Sequence, residues 1–175
     1  MSIIFWYPRS APFWRDLHGI KTYPPPCGAM AMNDLPHNHL SLLDLLPHRD
    51  TMLLVDEVLR VDQRQAEVRC TVSRSWPMAE PCGVHSLILV ELAAQSAGVC
   101  NGWDRIHTKG PDSDKTGWLV GIKKAEFHLD YLPYGADILC RAENTHDFNN
   151  LREVFCEQRW DGRLIGNMIL QLYQE

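Results

Sequence analysis

The chain has no excess of basic residues. Its 175 residues include 17 lysines and arginines against 22 aspartates and glutamates, which gives a formal net charge of -5 at pH 7. Proteins that grip a nucleic-acid backbone usually present a basic stripe to its phosphates. The acidic balance therefore predicts that nucleic acid is not a partner.

Long apolar runs and paired cysteines are also missing. No apolar run approaches the ~20 residues of a membrane-spanning helix, and the opening MSIIFWYPRS is too short in its apolar part for a signal peptide. The six cysteines are scattered and form no C-x-x-C pair, which is typical of a reducing compartment where cysteine serves as a small apolar filler. We therefore expect a cytoplasmic protein with no disulfides and no membrane partner.

The chain divides into two parts by pattern. Residues 1–36 mix aromatic residues with a run of three prolines and have neither helical nor strand periodicity, which predicts an irregular extension. Met30 and Met32 stand just before the first patterned segment. We hypothesise that the natural start is at one of them and that residues 1–31 are a start-site artefact. Residues 37–175 are predicted to form one domain.

Alternation of apolar and polar residues predicts most of the strands. The polar segment 61–65 is interpreted as a turn and the segment 110–117 as a loop. Asp161-Gly162 is a strong two-residue hairpin signal between the last two strands. The predicted strands cover residues 52–55, 66–72, 118–127, 137–145, 151–160 and 163–173.

One segment, SLILVELAAQSAGVCNGW at residues 86–103, is predicted to be a helix that ends near Asn101-Gly102. It is apolar on almost every side, so the helix must be buried. A single buried helix among antiparallel strands indicates an α+β fold in which the sheet curls around the helix. One sheet would leave the second apolar side of the helix uncovered, which favours a dimer.

Three sequence blocks resemble the stand-alone bacterial 3-hydroxyacyl-acyl-carrier-protein dehydratases. They are LPHRDTMLLVDEV at residues 46–58, ELAAQSAG at residues 91–98 and GIKKAEFHLDYLPYGAD at residues 121–137, and they occur in the family's order. The helix and the ending LQLYQE are more similar to a divergent branch of predicted dehydratases, some of which are associated with aryl-polyene biosynthesis. The resemblance covers about residue 40 to the end of the chain.

This resemblance implies a hotdog fold, in which a curled antiparallel sheet wraps a long central helix. It also implies a dimer whose two sheets join, with active sites at the interface and the acyl chain in a tunnel. Acyl carrier protein would be the partner, delivering the acyl chain as a thioester. The second subunit would be a copy of this chain, in a homodimer, or another hotdog chain, in a heterodimer.

The resemblance also carries over two site residues. The family's acidic residue on the helix corresponds to Glu91, and the family's glutamine corresponds to Gln95. The family's catalytic histidine belongs to a Gly-His-Phe-Pro motif, but here Trp76-Pro77-Met78 occupies that region. No histidine can therefore be assigned by position.

Dehydration of a 3-hydroxyacyl thioester needs a base for the proton on the carbon beside the carbonyl, an acid for the departing hydroxyl, and a donor for the developing oxyanion. It needs no metal and no organic cofactor. We assign Glu91 as the acid, since an apolar helix should raise the pKa of its carboxyl. Backbone N–H groups at Ser86 and Leu87, in the first turn of the helix, are the expected oxyanion donors and substrate contacts.

His85 is the nearest histidine to Glu91 in sequence, and we hypothesise that it is a relocated base. Six residues of helix rotate the chain by ~600° and advance it by ~9 Å, so the two side chains would meet only across a dimer interface. The alternative is that His85 is a turn residue or a satisfied core group. Cys82 and His85 have the spacing of half a zinc site, but no second pair follows, so no metal is predicted.

The other candidate residues also have structural interpretations. Glu91 could be a structural carboxyl bonded to loop N–H groups, and Gln95 could orient that carboxyl or fix the helix in the core. We interpret His48 as structural, holding its loop by hydrogen bonds. Lys123 and Lys124 could contact an acidic carrier protein or be solvated surface residues.

Dehydration to the trans-2-enoyl thioester is the leading functional hypothesis, and two alternatives stay open. The chain could be a hotdog subunit without catalysis that binds an acyl group or supports an active partner, which the absent Gly-His-Phe-Pro motif favours. It could also be a thioesterase, since hotdog proteins also use a helix carboxylate to direct water at a thioester carbonyl.

Overall fold

The computed structural model describes residues 30–31, 40–114 and 116–174. The helices are α1 (Leu42–Leu45) and α2 (Ile88–Lys109), and a single 3-10 turn covers Asp50–Met52. The strands are β1 (Met30–Ala31), β2 (Glu57–Val61), β3 (Gln65–Thr71), β4 (Ala79–Glu80), β5 (Gly83–His85), β6 (Trp118–Phe127), β7 (Tyr131–Leu132), β8 (Asp137–Phe148), β9 (Leu151–Trp160) and β10 (Arg163–Tyr173).

Seven strands form one antiparallel sheet in the order β1-β2-β3-β8-β9-β10-β6, and a small sheet has the order β4-β5-β7. Alternate residues of the large sheet point toward α2, because strand side chains alternate between the two faces. In β3 these inward residues are Ala66, Val68 and Cys70, each fully buried. The helix packs on β8, β3, β9, β10 and β2, which confirms the predicted α+β fold with one central helix against a large antiparallel sheet.

Several strand predictions are confirmed. β6, β9 and β10 match the predicted ranges, and β8 continues three residues further, to Phe148. The predicted hairpin joins β9 and β10, with both turn residues in the left-handed region, at φ 48° for Asp161 and 73° for Gly162. Positive φ at both positions is the geometry of the turn that matches strand twist.

The strand predicted at residues 52–55 is wrong. Met52 ends the 3-10 turn, residues 53–56 belong to no helix or strand, and the strand β2 begins only at Glu57. Leu54 and Val55 are buried in the core. The apolar run therefore indicated burial correctly, but it did not indicate a paired strand. A short apolar run cannot distinguish the two by its period.

The predicted end of the helix is also wrong, since α2 continues past Gly102 to Lys109. Gly110, with φ 95°, follows the last turn and donates its N–H to the carbonyl of Ile106. Gly102 has another purpose: a Cβ there would lie 2.5 Å from the carbonyl oxygen of Leu45. The absence of a side chain lets α1 and its C-terminal end approach α2 closely.

The predicted irregular extension at residues 1–36 lies mostly outside the described residues. Its Met30–Ala31 segment forms β1, which pairs antiparallel with β2. No helix among the described residues is both long enough and apolar enough to cross a membrane.

Replacing Gly102 with Ala is expected to destabilise the protein, because the added methyl group would meet the backbone of Leu45. We expect a loss of roughly 1–3 kcal/mol in the free energy of unfolding, as in other overpacked sites. Urea unfolding measures it. The matched control is Gly117→Ala, whose Cβ would lie 3.7 Å from its nearest neighbour, the carbonyl oxygen of Tyr173. Helix propensity alone predicts that Gly102→Ala is stabilising by about 1 kcal/mol, and that outcome would contradict the packing argument.

Candidate active site

The carboxylate of Glu91 lies in the first turn of α2 and is partly open, with 31% of its side chain exposed. Its Oε1 atom accepts two hydrogen bonds. One comes from Gln95 Nε2 at 2.8 Å, and the other from His48 Nε2 at 3.1 Å. Glu91 is therefore bound by side chains from its own helix and from the loop between α1 and β2.

Gln95 is fully buried, and its side chain bonds to its own helix and to the loop before β2. Besides Glu91, its Nε2 donates to the carbonyl of Met52 at 2.6 Å, and its Oε1 accepts the N–H of Leu54 at 2.9 Å. These contacts agree with both of the roles considered for Gln95. The side chain orients the carboxylate and fixes the extended segment against the helix.

His48 is brought to Glu91 by that arrangement, although its side chain is 43 positions away in sequence. Its loop is also secured by Arg49, which donates to the carbonyls of Leu43 and Leu46. The interpretation of His48 as a purely structural loop residue therefore missed its contact with the candidate catalytic carboxylate. The available signal was that a titratable residue stood inside one of the three family-like sequence blocks.

The predicted direction of the Glu91 pKa shift is wrong. The hydrogen bond from His48 is the largest influence and lowers the pKa of the carboxyl below its ordinary value. Partial burial raises it, and the hydrogen bond from Gln95 lowers it again. The apolar helix was expected to dominate, but a donor from a distant loop, His48, and a donor one helical turn away, Gln95, outweigh desolvation. Glu91 in this chain is a carboxylate at neutral pH.

The structure does not pair His85 with Glu91. His85 ends β5, and its Nδ1 accepts the N–H of Leu87 at 3.2 Å. Its ring packs edge-on against Tyr131, with 5.6 Å between the ring centroids. With Nδ1 as an acceptor, the neutral imidazole carries its hydrogen on Nε2.

Free N–H groups were expected at Ser86 and Leu87, and this expectation is wrong for both. Ser86 donates to the carbonyl of Asp130 at 3.0 Å, and Leu87 donates to His85. The side chain of Leu87 is 48% exposed, while Ser86 is buried. An oxyanion site at these two N–H groups would therefore have to displace existing partners.

Lys123 and Lys124, the candidate contacts for an acidic carrier protein, each have a carboxylate partner. Lys123 pairs with Glu153, and Lys124 pairs with Glu126 at 2.9 Å. Their charges are balanced locally, which weakens the case for a basic docking surface. In the described part of the chain, no group of three or more histidine, cysteine, aspartate or glutamate side chains is placed to hold a metal ion.

Replacing Gln95 with Met should destabilise the protein, because it leaves the buried N–H of Leu54 without its acceptor. An unsatisfied buried backbone donor costs about 1–3 kcal/mol, which urea unfolding can measure. The matched control is Gln63→Met at an exposed position in the turn between β2 and β3. Equal stability of the two variants would show that the bonds of Gln95 do not hold the loop.

Comparison with known proteins places this geometry in context. A family model described as ApeP-like, ApeP dehydratase, matches residues 40–175. The 3-hydroxyacyl-[acyl-carrier-protein] dehydratase FabZ of Xylella fastidiosa strain M12 is 30% identical over 148 residues, covering 81% of this chain and 91% of the relative. A second strain of that species, 9a5c, has a FabZ that is 25% identical over the same length.

Solved structures show the same fold. The dehydratase heterocomplex ApeI:P from Xenorhabdus doucetiae has a chain that superposes with a TM-score of 0.68 at 22% identity, covering 78% of this chain and 91% of that one. The HP0420 homologue from Helicobacter felis superposes with a TM-score of 0.58 at 15% identity, covering 77% of this chain and 98% of that one. These neighbours confirm the predicted hotdog fold, and the family model and the FabZ relatives show that this chain belongs to the ApeP-like dehydratase family.

Proposed function

We propose that this protein dehydrates a 3-hydroxyacyl thioester on acyl carrier protein to the trans-2-enoyl thioester, in cytoplasmic fatty-acid or polyene-type biosynthesis. Membership of a dehydratase family and the activity named for the FabZ relatives support the reaction. The observation that carries the proposal is the partly exposed Glu91 carboxylate, held by two donors at the start of a buried helix. A carboxylate of this kind can exchange a proton with a bound substrate.

The state of Glu91 favours a different role from the acid assigned on sequence. A carboxylate with a lowered pKa accepts a proton more readily than it gives one at neutral pH. We therefore propose that Glu91 is the base that takes the proton from C2 of the acyl chain. Its Oε1 is engaged by His48 and Gln95, so the proton goes to Oε2.

His85 suits the acid role better than the base role proposed for it on sequence. Its Nδ1 is occupied by the N–H of Leu87, so the neutral ring offers an N–H at Nε2. In the proposed step Glu91 takes the C2 proton, and the electron pair of the C2–H bond becomes the C2–C3 π bond as the C3–O bond breaks. The departing hydroxyl takes the proton from Nε2 of His85 and leaves as water. Proton exchange with solvent resets both partly exposed groups.

His85 would act on the same substrate as the Glu91 of a second subunit, since it does not contact the Glu91 of its own chain. The Gly-His-Phe-Pro motif of the resembled family is replaced here by Trp76-Pro77-Met78, so a histidine must come from elsewhere in this chain or from the partner. Trp76 is buried in the core, so it cannot take the place of an exposed acid.

Of the three residues proposed as substrate contacts, Ser86, Leu87 and Gln95, the geometry favours direct contact for Leu87 alone. Gln95 is fully buried and acts on the substrate only through Glu91. The N–H groups of Ser86 and Leu87 are engaged, whereas the exposed Leu87 side chain at the helix start can pack against the acyl chain. We propose that the side chain of Leu87 contacts the acyl chain. The buried Ser86, bonded to Asp130, would hold the start of the helix in place.

A second hotdog subunit is proposed to pair along β6. This strand bonds to β10 on one side and, among the described residues, to no strand on the other. It carries exposed large apolar side chains, including Trp118 at 61% and Val120 at 56% exposure. An open apolar edge strand invites pairing with another chain. The structural neighbour from a heterocomplex supports a heterodimer. We propose the same edge for a homodimer.

The reaction is tested by incubating the protein with 3-hydroxyacyl carrier protein and following the acyl carrier by intact-mass spectrometry. Loss of one water is expected, and Glu91→Gln should reduce the rate by roughly 100-fold or more, since it removes the proton acceptor. The matched control is Glu143→Gln, on an exposed carboxylate of β8 that pairs with Arg141. Release of free acid would show a thioesterase instead. An unchanged mass, with and without a hotdog partner, would show a binding subunit.

The partner edge is tested by Val120→Lys, which places a charge on the exposed strand. We expect it to abolish self-association or association with a hotdog partner, measured by sedimentation, because edge lysines block strand pairing. Leu43→Lys, at an exposed position of α1, is the matched control and should associate normally. Normal association of Val120→Lys would exclude β6 as the interface.

A further inference from the structure

We infer that His48 is a positioning residue whose Nε2–H bond to Glu91 Oε1 fixes that carboxylate and leaves Oε2 as the atom presented to the substrate. This inference deepens the proposed function and depends on it for the reaction that the carboxylate serves. It assigns to His48 a role in positioning the carboxylate, in place of the loop role expected from the sequence.

The geometry supports this role directly. Oε1 of Glu91 receives His48 at 3.1 Å and Gln95 at 2.8 Å, whereas Oε2 has no hydrogen-bond or ion-pair partner among the described residues. Because both donors bind Oε1, rotation of the carboxylate about its last bond would break these contacts. Oε2 therefore remains available to accept a proton. Glu91 and His48 are both about 30% exposed at their side chains, so the pair borders open space.

His48 is the titratable group that faces Glu91. His48 lowers the pKa of Glu91 through a hydrogen bond and through its charge. Gln95, which cannot be charged, lowers it through a hydrogen bond. The strands packed on α2 present buried apolar side chains and the thiols of Cys70, Cys140 and Cys156 to the helix. Burial raises the pKa of the Cys70 and Cys140 thiols, so they remain uncharged.

The loop that carries His48 does not need His48 to keep its place. Arg49 donates to the carbonyls of Leu43 and Leu46, before His48, and Gln95 bonds to Met52 and Leu54, after it. The bonds of Arg49 and Gln95 already hold the loop on both sides of His48. They do not provide a contact between the loop and Oε1 of Glu91, and His48 does.

Two substitutions of His48 distinguish a hydrogen-bond donor to Glu91 from a side chain that only occupies space. His48→Gln retains a neutral N–H donor that can reach the position of Nε2, whereas His48→Ala removes the donor. His146→Ala, at a histidine that is 79% exposed on β8, is the matched control. Urea unfolding of each variant establishes that it is folded.

The decisive readout is the titration of the Glu91 carboxyl, followed by 13C NMR of the full chain labelled at glutamate and assigned with Glu91→Gln. In His48→Ala the titration midpoint should rise by about 1 pH unit or more, because a hydrogen bond to the charged form is lost. In His146→Ala it should stay near the wild-type value, and in His48→Gln it should rise less than in His48→Ala, because glutamine retains the donor but not the charge interaction of the imidazole. An unchanged midpoint in His48→Ala would overturn the inference.

Turnover of 3-hydroxyacyl carrier protein supplies the second readout. The ratio of kcat at about pH 5 to kcat at about pH 8 should fall in His48→Ala and fall less in His48→Gln, with KM unchanged, since only the carboxylate form works as the base. A loss that is equal at both pH values would show a merely structural residue and overturn the inference. If the wild-type protein has no dehydratase turnover, the proposed function fails, while the NMR titration still decides the role of His48.

Discussion

The side-chain amide of Gln95 is the interaction on which the candidate site depends. It is fully buried, and its three hydrogen bonds join the loop before β2, at Met52 and Leu54, to the helix residue Glu91. Because a buried amide must satisfy its polar atoms, the segment and the helix have one mutual position. That position brings His48, at the other end of the same loop, to the carboxylate.

The hotdog architecture explains why such a site can form at the first turn of α2. The sheet curls around the apolar faces of the helix, and α1 covers the middle of the helix where Gly102 lies against Leu45. Leu87, just before the helix, is 48% exposed, and Glu91 is 31% exposed although most of α2 is buried. Proximity to solvent and to two donors keeps the carboxyl ionised. The fold therefore favours a proton acceptor at this position.

Local patterns predicted most of the elements of the fold. Period-two alternation and the Asp161-Gly162 turn located β9 and β10, since strand alternation and left-handed turn residues are determined locally. The end of α2 was misplaced because Gly102 responds to the backbone of Leu45, a contact between distant parts of the chain. The run at residues 52–55 was misassigned because burial against a helix and burial in a sheet select the same apolar residues.

The candidate site was predicted less completely, for the same physical reason. Glu91 and Gln95 could be identified because they lie one helical turn apart within a single motif. The pairing with His48 could not, since it spans 43 residues and depends on the bonds of Gln95 to two backbone groups. Without His48, the apolar helix suggested a raised pKa for Glu91, and the acid and base roles were assigned in the opposite sense to the one that the hydrogen bonds favour.

In the proposed reaction Glu91 works as a carboxylate. The most direct test is the pH dependence of kcat/KM for dehydration by the wild-type protein, which reports the ionisation of essential groups in the free enzyme. A group whose pKa is lowered must be deprotonated to act as the base. The rate should therefore be insensitive to Glu91 between about pH 7 and pH 5 and fall only below the ordinary range of a glutamate. A rate that increases as the pH drops through the titration of Glu91 would mean that the protonated carboxyl is the active form, and would contradict this account.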